Sequence, residues 1–103
     1  MIKNDLRKDL KQFSGLGFPI SGGRGHNISN PIIIEANEYA VGIEYEIIGL
    51  IQQMRGKSWK TVGQQLIRKE DGRSIDKISI IVDNEHRCRS YYFDITKSFG
   101  KYN

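Results

Sequence analysis

Residues 74–96, SIDKISIIVDNEHRCRSYYFDIT, decide the fold. Ile78, Ile80 and Val82 fall on one face of an extended segment and Ile75 and Ile81 on the other, the period of two that a strand imposes. After the polar turn Asp83-Asn84-Glu85-His86, the same period returns over Cys88–Thr96, with Tyr91, Phe93 and Ile95 facing one way. Upstream, Ser58–Arg68 also reads as extended, and Glu70-Asp71-Gly72-Arg73 holds the Asp-Gly turn signal that closes hairpins. Three strands joined by short polar turns make an antiparallel meander.

Moving toward the N-terminus, the pattern divides. Ile32–Ala36 is short and continuously apolar, as in a strand covered on both faces. Tyr39, Val41, Ile43, Tyr45 and Ile47 then alternate with Ala40, Gly42, Glu44, Glu46 and Ile48. Ala36, Ala40, Ile43, Ile47, Ile51 and Met54 also sit at helical spacing. The β-branched and aromatic residues, with Gly42 and Gly49, favour a strand to about Ile48, then a helical turn over Leu50–Arg55.

Residues 14–31, SGLGFPISGGRGHNISNP, hold five glycines and two prolines, too many for a helix or a central strand. They read as a long loop anchored by Phe18 and Ile20. Before it, Ile2, Leu6, Leu10 and Phe13 line one face of an amphipathic helix over about residues 2–13, with Asn4 as its cap and Ser14-Gly15 as its stop. An apolar sheet face needs cover, and this helix supplies it. The expected architecture is one α+β domain over 1–103. A mainly antiparallel sheet of four to five strands spans about 32–96, the N-terminal helix packs on one face, and a short exposed tail covers 97–103.

The chain has 103 residues and a net charge of +4, with 16 Lys and Arg spread among 12 Asp and Glu. That diluted excess tolerates an anionic partner without the dense basic clustering of a dedicated nucleic-acid domain. The single cysteine, Cys88, cannot staple the fold internally and points to a reducing compartment. No apolar run reaches membrane-spanning length. A soluble, cytoplasmic protein without membrane association is the expectation.

Four sets of residues are candidates for chemistry. In the loop, Gly22, Gly23 and Gly25 would let backbone N–H groups converge into an anion-holding nest, with Arg24 adding a bidentate grip and His26 a titratable donor. The segment lacks the spacing of a P-loop or dinucleotide fingerprint. On the last strand Arg87, Arg89, Tyr91 and Phe93 mix cations with rings, as in sheets that stack single-stranded nucleic acid. Glu44 and Glu46 would share a strand face about 6–7 Å apart, which reads better as a solvated face than as a catalytic pair. His86 and Cys88 lack an orienting third group, and neither histidine has a partner at metal-ligand spacing. Trp59 reads as a packing anchor.

No catalytic constellation, metal site or cofactor is expected from these residues. Three functions remain. The leading expectation is a non-enzymatic module that binds another protein or itself through an open sheet edge. The second is an anionic-ligand or enzymatic domain built on residues 21–27, and the third is single-strand nucleic-acid binding.

Overall fold

The computed structural model describes residues 5–37 and 40–99. Two helices cover one face of a five-stranded sheet ordered β1-β2-β5-β4-β3. The strands are β1 (Ile20–Gly22), β2 (Ile32–Ile34), β3 (Trp59–Arg68), β4 (Ser74–Val82) and β5 (Arg89–Asp94). All neighbours are antiparallel except β2 and β5. The expected α+β class, C-terminal meander and covering helix are therefore present.

The meander follows its alternation. Val82, Ile80 and Ile78 of β4 pair with Trp59, Thr61 and Gln64 of β3, and Ile78 faces Tyr91 of β5. The even-numbered β4 residues from Ile78 to Val82, with Tyr91, Phe93, Ile32 and Ile34, form the buried interior under the helices. Gly72 takes φ 95 in the β3–β4 turn, where the Asp-Gly signal placed it. A bulge at Val62 shifts the register between Thr61 and Gly63 on the outer strand.

Helix α1 (Leu6–Ser14) starts at Asp5, whose carboxylate accepts from the Lys8 N–H at 3.3 Å, and stops at Gly15 with φ 80. The anticipated cap Asn4 and the first apolar-face residue Ile2 lie outside the described residues. Leu6 and Leu10 point into the core, whereas Phe13 stays about half exposed.

The second helix corrects the sequence reading. Residues expected as a strand to about Ile48 form α2 (Ala40–Met54). Ala40, Glu44, Ile47, Ile48 and Gln52 are buried and Ile43 and Ile51 partly so, a broad helical stripe laid on the sheet. Neither glycine obstructs it: a Cβ at Gly42 would meet nothing within 4 Å, and one at Gly49 would make ordinary contact with Trp59 at 3.7 Å. Burial along that stripe outweighs the local β preference, because propensity is a weak prior against tertiary packing. Glu44 and Glu46 consequently do not share a strand face; Glu44 is fully buried and Glu46 exposed.

Two smaller corrections concern the ends. Residues 14–31 are not one loop, because Ile20–Gly22 pair with Ile32–Ile34 as a hairpin. In the tail, Ser98 is buried rather than exposed, its N–H bonded to Ile95 O at 3.0 Å. Residues 100–103 lie outside the described residues.

Candidate functional site: a basic cleft

The β1–β2 hairpin loop folds back against the sheet. Gly25 takes φ 81, where a Cβ would lie 3.0 Å from Tyr92 O and 3.1 Å from Ile32, so the backbone closes on β5 as only glycine allows. Its carbonyl accepts the Tyr92 N–H at 2.9 Å, extending the pairing of β5 beyond short β2. Gly23 and Gly25 donate their N–H groups to Pro31 O and Asn30 O. These two amides are spent inside the loop rather than held open for an anion. The loop's contribution passes to its side chains.

Arg24 and His26 are thereby carried to one side of a cavity of about 380 Å³. Its other walls are Leu6 and Asp9 of α1, Ile51, Met54 and Arg55 at the end of α2, and Arg89 and Tyr91 of β5. The chain turns off α2 at Gly56, φ 69, with Lys57 N bonded to Gln52 O and Gly56 N to Gln53 O. This Schellman closure fixes Arg55 at the helix C-terminus, where a cation complements the exposed carbonyls.

Glu85 organises the cations. One oxygen accepts from Arg55 Nη2 at 2.5 Å and the other from Arg89 Nε at 2.7 Å. Hydrogen bonds from Arg89 first and Arg55 second pull the Glu85 carboxyl down to about 2, so it stays ionised through the neutral range. Behind them, fully buried Gln52 receives Arg55 Nη1 on its carbonyl at 2.5 Å and donates its amide to the Tyr91 hydroxyl at 2.8 Å. Across the cleft, Arg24 Nη1 lies 3.1 Å from Asp9 Oδ2 without an aligned hydrogen bond.

The cleft joins residues that the sequence presented as separate candidates: Arg24 and His26 from the loop, Arg89 and Tyr91 from the last strand. Gly22, Gly23 and Gly25 shape the loop and do not line the cavity. Arg87 is exposed on the β4–β5 turn, outside the lining. Phe93 is fully buried and Tyr91 2% exposed, both beneath the helices. A stacking platform of these rings on an open sheet face is therefore excluded, a correction to the nucleic-acid reading. Cys88 and His86 are both exposed. Sequence reasoning missed Gln52, Arg55 and Glu85. The first two stand three apart at the C-terminal end of α2, a spacing available in the helical turn expected over Leu50–Arg55 but not singled out; Glu85 and Arg89 show the i, i+4 spacing of an ion pair.

A second polar cluster lies at the other half of α2. Buried Glu44 rests near Asp76 of β4, which accepts from Gln64 Nε2 at 2.9 Å; Gln64 Oε1 in turn accepts from the Tyr45 hydroxyl at 2.9 Å. Burial first and the neighbouring Asp76 second push the Glu44 carboxyl up to about 10, so it keeps its proton. Among the described residues no group of three metal-ligating side chains occurs, and no helix is long and apolar enough to cross a membrane. Comparison with known proteins supplies no identification: no family model, curated protein or solved structure matches the chain.

Proposed function

We propose that the protein recognises an anionic ligand in the cleft framed by Arg24, His26, Arg55, Arg89 and Tyr91. One observation carries this reading: three guanidinium groups from three separate parts of the chain converge on one cavity. Each guanidinium offers five N–H donors and no acceptor. Asp9 and Glu85 occupy only part of that capacity. Clustered guanidiniums with donors to spare suit a carboxylate or phosphate, which can take two parallel bonds from each.

The test is thermal unfolding with inorganic phosphate, pyrophosphate and sulfate at fixed ionic strength. Bound anion raises Tm in step with occupancy. Arg89→Ala should abolish the rise, while Arg87→Ala, outside the cleft, should keep it. No rise with any of the three anions ends the proposal.

The outer strand supports a second reading, a protein-binding edge. β3 is ten residues long with one edge unpaired among the described residues, and Val62 and Leu66 are each more than 40% exposed. Such an edge accepts an added strand from a partner or a second copy. Its test is light scattering across a concentration series, in which a strict monomer argues against self-association.

A further inference from the structure

Building on the anion reading, we propose that the ligand is a phosphate monoester carrying a flat apolar group, the chemistry of a nucleoside monophosphate. The lining combines two chemistries. Arg55 and Arg89 are clamped by the same Glu85 carboxylate, which sets their guanidiniums side by side. Gln52 holds Arg55 in place from within. Two preset guanidiniums with most of their donors unspent match a phosphate, whose three terminal oxygens accept several bonds each.

The rest of the lining is mixed. The Arg24–Asp9 ion pair stands across the cleft, and Leu6, Ile51 and Met54 add apolar surface that cannot hydrogen-bond an inorganic ion. Met54 supplies a thioether that adapts to ring surfaces. The His26 ring stands 6.4 Å from that of Tyr91 at 41°, and its exposed imidazole offers a surface for a planar group to lie against. A ligand that is anionic at one end and flat and aromatic at the other uses both the guanidiniums and these side chains.

Size favours a monomer. The cavity of about 380 Å³ falls at the small end of the roughly 300–1,000 Å³ usual for small-molecule sites.

Calorimetric titration at fixed ionic strength with inorganic phosphate, phenyl phosphate, adenosine, AMP and a short oligothymidylate tests the assignment. AMP should bind at least about tenfold more tightly than inorganic phosphate, about 1.4 kcal/mol. Phenyl phosphate should also exceed inorganic phosphate, and AMP exceeding phenyl phosphate assigns the added affinity to the nucleoside. Arg89→Ala should weaken AMP and inorganic phosphate alike, whereas Met54→Ala should weaken AMP more than inorganic phosphate. Equal affinity for phosphate and AMP overturns this inference and leaves the anion site standing. Adenosine binding as well as AMP overturns both, as does no binding of any probe. Oligothymidylate more than about tenfold tighter than AMP overturns the small-ligand assignment in favour of a polymer.

Discussion

The two ends of α2 handle glutamate chemistry in opposite ways. Toward the N-terminal half, Glu44 faces the sheet next to another acid and keeps its proton, pushed up to about 10. Beyond the C-terminal end, Glu85 meets two guanidiniums and gives its proton up, pulled down to about 2. The same side chain is neutral where the interior is dry and the neighbour acidic, and charged where cations reach it from the cleft. Polar groups thus hold the first end as structure and leave the second end able to meet a ligand.

The largest expected effect tests the helix that links the two ends. Ile47 and Ile48 are both fully buried, which consecutive residues of a half-exposed strand cannot be. Ile47→Ala and Ile48→Ala should each cost about 2–5 kcal/mol in urea unfolding. A near-zero cost at either position would remove α2 and the comparison with it.

Next comes Glu44. Its folded pKa is raised, so its contribution is most favourable below the unfolded value of 4.5 and declines as pH climbs toward about 10. Glu44→Gln keeps the shape and cannot ionise, so it carries no such penalty. At about pH 8 the variant should melt higher, by roughly 4–8 °C for each 1 kcal/mol gained, and at about pH 4 the difference should close. A gap that stays constant with pH would mean that the carboxyl is not held neutral.

Glu85 gives the smaller effect with the opposite sign. Its folded pKa is depressed, so its contribution is complete above 4.5 and is lost as pH falls toward about 2. Glu85→Gln should flatten the acid limb of the stability curve over that window. At neutral pH the expected loss is slight, because partly exposed ion pairs contribute little. An unchanged acid limb would show that the Arg55 and Arg89 bonds do not hold the carboxylate.

The legible parts of the fold were those where local and tertiary signals agreed. Ile78, Ile80 and Val82 alternate, their turns carry Asp-Gly and Asp-Asn, and the chain does what both imply. In residues 39–48 the signals conflicted. Ile43, Ile47 and Ile48 are β-branched, yet the segment is a helix that buries Ile47 and Ile48 on the sheet, and the demand for cover over β4 and β5 is invisible to a local window. The candidate site was legible in pieces. Arg24, His26, Arg89 and Tyr91 stood out by composition, but nothing in the spacing of residues 24 and 89 says that a hairpin loop will close against β5. Glu44 was misplaced for a related reason: charged residues are mostly exposed, and its exception depends on Asp76, far along the chain.

The parallel pairing of β2 with β5 has the longest reach in the sheet. Ile32 meets Phe93 roughly sixty residues later, whereas β3, β4 and β5 are joined by short turns. Closing the longer segment carries the greater entropic cost. Arg24 and His26 ride on the hairpin that makes this long-range contact, and Arg89 and Tyr91 stand on the strand that receives it. The cleft comes into being only when the beginning and end of the chain have met, so its occupancy by an anion would report a finished molecule.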